Sequence, residues 1–227
     1  MKNTFFLLCI SLFLLSCTAK KKITGSDGMI TENQFVLVET TEGNMKLELF
    51  ADVPKHSSNF IKLVEAGFYD GLLFHRVIPQ FMIQGGDPNS KTAAKGTPLG
   101  NGGNGYKIDA EFKNKYIHKK GALAAARDNN PQMQSSGCQF YIVQGKTFTD
   151  EQCTQIEQSN GQIYNKEKRA IYATDGGSPH LDGKYTVYGQ LVEGFDVLEK
   201  ISLTPKDQRN RPLEDVRITK MTVLKKK

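Results

Sequence analysis

The sequence predicts a mainly β fold, an antiparallel barrel or sandwich, preceded by an N-terminal segment that is not part of it. Short apolar or alternating runs are separated by turns that contain glycine and proline. Only two amphipathic helices are evident outside one irregular segment, and no internal repeat is visible. Many short strands with frequent turn signals are typical of this fold class.

The first two strands form a predicted hairpin. Residues 35–38 and 45–50 are apolar or alternating, and they flank a turn that contains Gly43. The two predicted helices cover residues 54–66 and 195–201. The first begins at Pro54, a residue that suits a first helical turn, and apolar side chains fall near one of its faces.

The remaining strands are short. They are predicted over residues 74–78, 81–84, 121–126, 138–143, 186–192 and 216–224. Residues 85–105 are rich in Gly, Asn and Pro and are predicted to form a loop.

One segment, residues 150–178, interrupts this pattern of strands. Residues 151–158 and 166–172 predict two short helices, and a turn around Gly176 returns the chain to the next strand. We interpret the segment as an insertion between two strands of the barrel.

The first 17 residues predict an export signal. Lys2 precedes an apolar run over residues 5–15, which is too short to span a bilayer because a helix needs roughly 20 residues. A basic start followed by a short apolar core is typical of a secretory signal. The end, Ser16-Cys17, resembles a bacterial lipoprotein signal, in which cleavage leaves a lipid-modified cysteine. An ordinary signal peptide with an incidental cysteine is the alternative.

This interpretation divides the chain into three parts. Residues 1–17 are the predicted lipoprotein signal with lipidation at Cys17, residues 18–34 a flexible tether, and residues 35–227 one folded domain. The expected location is the bacterial cell envelope. The lipid would anchor the protein to a membrane, with the folded domain outside the cytoplasm, on the periplasmic side.

Composition argues against a nucleic-acid partner. The formal net charge is +6, but much of the excess lies at the two tips, in the lysines of residues 20–22 and 225–227. A nucleic-acid groove would need basic residues on one folded face. Cys138 and Cys153 are the only cysteines of the folded domain, and they either form a disulfide or remain free thiols, with the latter favoured.

Other motifs do not indicate cofactor or hydrolase chemistry. Gly100, Gly102 and Gly105 match a dinucleotide motif but lack the strand before it and the helix after it. The four histidines have no ligand spacing, so no metal site and no cofactor is predicted. Ser135 lies in a polar loop, and nothing nearby in the sequence indicates a catalytic triad.

The stretch over residues 69–86, YDGLLFHRVIPQFMIQGG, resembles the signature of the cyclophilin family of peptidyl-prolyl isomerases. Three further blocks follow in the family's order: GALAAAR at 121–127, SGCQFYI at 136–142 and LDGKYTVYG at 181–189. The resemblance covers about residues 35–224 apart from the insertion. It implies a closed antiparallel barrel of about eight strands capped by two helices.

The resemblance also implies a function and the residues for it. The function is acceleration of X–Pro isomerisation in exported proteins, as a folding helper. Arg76 and Gln84 match the catalytic positions. The substrate-binding positions are matched by His75, Phe81, Met82, Ala126, Arg127, Gln139, Tyr141, His180, Leu181 and Tyr185.

The implied partners are polypeptides with proline in unfolded or flexible segments, and a membrane through the anchor, with a monomer as the expected state. Two alternatives stay open. The domain could hold proline-containing partners, as a binding module or chaperone with little turnover. The insertion could instead dock one specific partner.

The chain departs from the family pattern at several of these positions. Tyr141 stands where many members have Phe, Arg127 where many eukaryotic members have Asn, and Tyr185 where many have His. His180 stands where many members have the Trp that is linked to cyclosporin binding.

We therefore expect cyclosporin to bind this protein weakly, because the indole that many members offer to the drug is replaced by imidazole. The measurement is the dose dependence of inhibition of prolyl isomerase activity. Inhibition at low nanomolar drug would contradict the expectation.

Overall fold

The structure is a computed structural model that describes residues 28–225. The predicted export signal and Cys17 lie outside these residues. Part of the predicted tether lies within them and packs against the domain. Ile30 is buried, its N–H donates to Ser58 Oγ at 2.8 Å, and the first strand begins at Gln34.

An eight-stranded antiparallel sheet forms the body of the domain, and a separate two-stranded pair lies beside it. The ten strands are β1 (Gln34–Thr40), β2 (Gly43–Leu49), β3 (Arg76–Ile78), β4 (Met82–Gly85), β5 (Lys107–Ile108), β6 (Ala122–Ala125), β7 (Ser135–Ser136), β8 (Phe140–Val143), β9 (Val187–Glu193) and β10 (Ile218–Leu224). The order in the large sheet is β10-β1-β2-β9-β6-β8-β4-β3, and β5 pairs with β7.

The predicted closure of the barrel is wrong: the curled sheet is open between β3 and β10. The chain just before β3 is irregular, so it meets the last strand at isolated points instead of through a ladder. Leu73 forms a single bridge with Arg217, and the Gly71 and Phe74 N–H groups donate to the carbonyls of Ile218 and Val216 at 2.8 and 2.9 Å.

Four helices accompany the sheet: α1 (Pro54–Glu65), α2 (Asp150–Asn160), α3 (Lys166–Thr174) and α4 (Phe195–Ser202). The first and last are the two predicted capping helices. α1 packs against β9 and β10, and α4 packs against β2. Both bury an apolar face in the main core, which lies between these helices and the inner face of the sheet.

The other two helices are those predicted in the insertion. A capping box at Thr149 and Gln152 begins α2, and Asn165 caps α3. Arg169 joins the two helices through ion pairs with Asp150 at 2.8 Å and Glu157 at 2.5 Å. A separate apolar cluster lies beneath them, made mainly of Ile117, Cys153, Tyr164 and Tyr172.

The two cysteines of the domain are free thiols, and both are buried. Cys138 belongs to the main core, whereas Cys153 belongs to the cluster of the insertion. Within residues 28–225, none of the helices has the length and hydropathy needed to cross a membrane.

A stability prediction concerns Gly86, which directly follows β4 and lies against the backbone of Cys138 and Gln139. Its φ is +90°, and a Cβ there would lie 2.2 Å from the Cys138 carbonyl oxygen. We expect Gly86→Ala to lower the free energy of unfolding by at least about 2 kcal/mol, since left-handed strain and overpacking add. Urea unfolding followed by circular dichroism measures it.

Gly103→Ala is the matched control. A Cβ at Gly103 meets nothing within 4 Å, so its unfolding free energy should stay within about 1 kcal/mol of the parent. Equal stabilities for the two variants would contradict the steric argument at Gly86.

Candidate active site

The predicted catalytic residues lie in one row across neighbouring strands. Arg76 of β3 pairs with Gln84 of β4, which pairs with Tyr141 of β8. The row continues through Ala124 of β6 to Val187 of β9. Because directly paired residues of a sheet share a face, these side chains project to the same side, opposite to the main core.

This outer face carries an apolar cluster of its own, which we call the pocket cluster. Its buried members are Met82, Ala122, Ala124, Tyr141, Val143, Leu181 and Val187, and its partly buried members include Phe81, Ala126 and Tyr185. The structure therefore brings together most of the residues predicted to bind a proline ring. Arg76 and Gln84 lie beside the cluster, on the edge strand and its neighbour.

A chain of hydrogen bonds orients the polar residues of the row. Arg76 Nη1 donates to Gln84 Oε1 at 3.1 Å, and Gln84 Nε2 donates to Gln139 Oε1 at 2.9 Å. Gln139 Nε2 in turn donates to the carbonyls of Gly100 and Gly102 at 2.8 and 2.7 Å. In both glutamines the amide oxygen accepts one hydrogen bond of this chain and the amide nitrogen donates the next. These bonds fix the orientation of both side chains.

Arg76 is half-buried, and burial lowers the pKa of its guanidinium, while the nearby Tyr185 acts in the opposite direction. An arginine nevertheless remains charged at neutral pH. Within the described part of the chain it forms no ion pair, and its hydrogen bond goes to the neutral amide of Gln84. Most of its N–H donors therefore remain available to a ligand.

Tyr141 is held from behind by a buried hydrogen-bond chain. Its hydroxyl lies 3.0 Å from His118 Nε2, and His118 Nδ1 lies 2.7 Å from Asp182 Oδ1. The other carboxylate oxygen accepts from the Tyr172 hydroxyl at 2.5 Å. In a neutral ring whose Nδ1–H donates to the carboxylate, Nε2 accepts from the Tyr141 hydroxyl. This explains how a buried wall tolerates Tyr where many family members have Phe.

Three further predicted residues lie at the exposed side of the pocket cluster. The ring of His180 is 5.5 Å from that of Phe81, between centroids. The guanidinium of Arg127 lies 4.7 Å from the centre of the Tyr185 ring, and Arg127 Nε donates to the Lys184 carbonyl at 3.1 Å. These contacts fix Arg127 over Tyr185, so both side chains border the cluster.

His75 was predicted to bind substrate, but only 3% of it is exposed. Neither of its ring nitrogens has a hydrogen-bond partner among the described residues. Burial lowers its pKa to about 4, so the ring is neutral at neutral pH. His75 therefore offers little surface to a polypeptide, although its ring borders a cavity beside Arg76.

Sequence reasoning missed His118 and Asp182 as supports of the site. They lie 23 and 41 residues from Tyr141 in sequence, and no spacing rule links them. The one available signal was Tyr141 itself, because a hydroxyl added to an apolar wall needs a partner.

A serine, a histidine and a glutamate meet elsewhere in the geometry of a catalytic triad. His56 Nε2 lies 3.0 Å from Ser135 Oγ, and His56 Nδ1 lies 2.6 Å from Glu111 Oε2. Although burial raises the pKa of Glu111, hydrogen bonds from the ring and backbone of His56 outweigh it and hold the pKa below its ordinary value. Ser135 is buried and the adjoining cavity is only about 10 Å³, so this group fastens α1 to β7 and leaves no room for a substrate.

The glycine motif lies in a loop, as predicted. The buried carboxylate of Asp87 accepts from the N–H groups of Gly100 and Gly102, which holds the loop that Gln139 also contacts. Among residues 28–225, no group of three or more His, Cys, Asp or Glu side chains has the arrangement of a metal site.

Comparison with proteins of known sequence supports the implied family. A Staphylococcus haemolyticus protein with the name of a peptidyl-prolyl cis-trans isomerase is 37% identical over 199 residues, which cover 86% of this chain and 93% of that protein. A Streptococcus pyogenes bifunctional phosphatase/peptidyl-prolyl cis-trans isomerase is 38% identical over 83% of this chain, and the match spans only 38% of that relative.

Comparison with solved structures supports the fold. A Cryptosporidium parvum cyclophilin-type isomerase superposes with a TM-score of 0.63 at 24% identity, over 86% of this chain and 99% of that chain. A second structure, determined in the presence of the dipeptide Ala-Pro, has a TM-score of 0.62 at 25% identity and covers 85% of this chain and all of that chain.

The sequence model of one family matches residues 35–223, which are nearly all of the chain that forms the sheet and its helices. This match agrees with the relatives, with the fold and with the row from Arg76 to Tyr141. The chain therefore belongs to the cyclophilin-type peptidyl-prolyl cis-trans isomerase family.

Proposed function

We propose that this protein accelerates cis–trans isomerisation of X–Pro bonds in exported polypeptides, with Arg76 as the catalytic residue. The observation that carries the proposal is a half-buried guanidinium beside an apolar pocket cluster, with no carboxylate partner within residues 28–225. A charged donor in this setting suits a reaction in which no covalent bond is broken.

The chemistry of the X–Pro bond explains why such a site suffices. The cis and trans forms differ by only about 0.5–1 kcal/mol, yet they exchange in tens to hundreds of seconds. The barrier of roughly 20 kcal/mol reflects the resonance that makes the amide planar. In the twisted transition state that resonance is lost, and the proline nitrogen becomes a hydrogen-bond acceptor.

Arg76 is the residue that we propose to donate to that nitrogen. A donor that binds the twisted amide more strongly than either planar form lowers the barrier, which is the requirement for catalysis. The rigid, permanently charged fork of arginine suits this role. The hydrogen bond to Gln84 Oε1 limits the rotation of the guanidinium and so organises the donor before substrate binds.

The pocket cluster supplies the environment for this donor. A proline ring packed against Phe81, Met82 and Leu181 would exclude water from the bond that rotates. Hydrogen bonds are stronger where water is excluded, so the apolar walls increase the effect of Arg76. Gln84, whose Nε2 keeps one N–H beyond its bond to Gln139, is proposed to hold the peptide backbone beside Arg76, and Gln139 is proposed to orient Gln84.

The substrate class is supported by the related structure determined with Ala-Pro. The alternative is a module that holds proline-containing partners with little turnover. It does not explain why most N–H donors of Arg76 are left available to a ligand. A protease-coupled assay on an Ala-Pro peptide separates the two readings.

The site of action is a further part of the proposal. The apolar run before Ser16-Cys17 supports export and lipid attachment at Cys17, which would anchor the domain to a membrane outside the cytoplasm. Polypeptides emerging into the envelope would then be the substrates.

We expect Arg76→Ala to lower kcat/KM for an Ala-Pro peptide by about 10²–10³, because a preorganised charged donor contributes roughly 3–4 kcal/mol to transition-state stability. Arg76→Lys should lose less, since it keeps the charge but not the fork. The control is Lys220→Ala, an exposed position on β10. A loss of less than about threefold in a folded Arg76→Ala protein would remove Arg76 from the proposed role.

We expect Cys17→Ser to release the protein from the membrane fraction of a bacterial host, because the sulfur that would carry the lipid is absent. Fractionation and labelling with a fatty-acid analogue provide the measurement. Cys9→Ser, within the apolar run, is the matched control and should remain labelled and membrane-bound. Continued membrane attachment of the Cys17→Ser protein would refute the lipid anchor.

A further inference from the structure

A cavity lies beside Arg76 and Gln84. Its volume is about 290 Å³, and the loop over residues 97–101 forms one wall. The side chains that matter for its chemistry are His75, Arg76, Arg127, Asp207, Arg209 and Arg211. The size is near the lower limit for a small-molecule site, which suits a single side chain.

We call this the arginine cavity, and the positive charges of its lining outnumber the negative ones. Arg211 is neutralised by Asp215 at 3.2 Å and donates to the Ala94 carbonyl at 3.0 Å. By contrast Arg76, Arg127 and Arg209 have no carboxylate partner within residues 28–225, as the hydrogen bonds of Arg127 go to carbonyl oxygens.

Asp207 is the acidic side chain of the lining, and its carboxylate accepts hydrogen bonds from the backbone. Its Oδ1 accepts from the N–H groups of Arg209 and Arg211 at 2.8 and 3.0 Å, so it holds the loop that carries both arginines. The lining therefore contains three arginines without a carboxylate partner in the described part of the chain and one carboxylate that is committed to the backbone, so the cavity keeps an excess of positive charge.

Two further polar side chains of the lining are almost fully buried. His75 is 3% exposed and Arg211 is 4% exposed, and the protein itself encloses the ring nitrogens of His75 and the Nε of Arg211. An occupant of the cavity would therefore meet mainly the less buried arginines, which are Arg76, Arg127 and Arg209.

The position of the cavity determines where such an occupant would come from. Arg76 and Gln84 border it and also belong to the row beside the pocket cluster. An extended peptide advances at most about 3.3–3.6 Å per residue, so a side chain in the cavity belongs to a residue close to the bound proline.

We propose that the arginine cavity binds the carboxylate of an acidic side chain within two residues of the isomerised proline. The inference rests on the proposed function, because it assigns a substrate preference to that site. Arg209 is the exposed arginine of the three without a partner and is assigned as the main contact. Arginine and carboxylate form bidentate, charge-assisted hydrogen bonds, which gives the cavity a preference for this chemistry.

The test uses Ala-Pro or X-Pro peptides with a single Glu at one of the two positions before or after proline, each paired with its Gln counterpart. Exchange NMR gives kcat/KM without a coupled protease. At one or more positions we expect Glu to exceed Gln by about fivefold, mainly through KM, which is the scale of a partly exposed ion pair. The preference should shrink as salt is added.

Arg209→Gln should bring the Glu-to-Gln ratio close to one and leave turnover of the Gln peptides unchanged. Lys220→Gln makes the same change in net charge at a remote exposed position and should preserve the ratio. A ratio below about twofold at every position, or one that survives Arg209→Gln, would overturn the inference.

The two proposals fail in different ways. Turnover of the Gln peptides without a Glu preference rejects the arginine cavity and leaves the isomerase proposal intact. If no peptide is turned over, dissociation constants of the same Glu and Gln pairs, from NMR titration with the parent and Arg209→Gln proteins, still decide whether the cavity selects a carboxylate.

Discussion

The alternation of side chains along short β-strands is the constraint on which this structure depends. Val77, Ile83 and Ile142 point into the main core, while their neighbours in sequence point to the outer face. The same few residues of β3, β4 and β8 thus build the core of the domain and the surface beside which Arg76 lies. A shift of one residue in register would exchange the two sets and destroy both.

The site also depends on the absence of a carboxylate partner for Arg76 within residues 28–225. The protein has many ion pairs on its surface, yet this guanidinium contacts a neutral amide. Its orientation comes from Gln84 and Gln139, which in turn contact the carbonyls of the glycine loop. Neutral partners of this kind hold a cation in place without reducing its ability to attract another acceptor.

Much of this arrangement could be predicted from the sequence, because strands and helices have local signals. The apolar run of residues 138–143 marked β8, the alternation of residues 216–224 marked β10, and Pro54 marked the start of α1. The family resemblance then indicated which side chains share a face. The open edge between β3 and β10 carried no such signal, since it depends on how the irregular chain around Leu73 meets the last strand.

The supports of the site could not be predicted for the same reason. The fold alone brings His118 and Asp182 to Tyr141, and Arg209 and Arg76 line one cavity although more than a hundred residues separate them in sequence. Contacts of this kind depend on tertiary packing, which single-sequence patterns do not record.

The hydroxyl of Tyr172 gives the insertion a thermodynamic connection to the rest of the domain. Its hydrogen bond to Asp182 crosses from α3 to the chain that supports the pocket wall. Local opening of α3 would leave a buried carboxylate short of one donor, so the free energy of that opening includes this loss. By reciprocity, whatever stabilises the Asp182–His118 pair also protects the helix from opening, and amide exchange in α3 would report on events at the wall that Tyr141 forms.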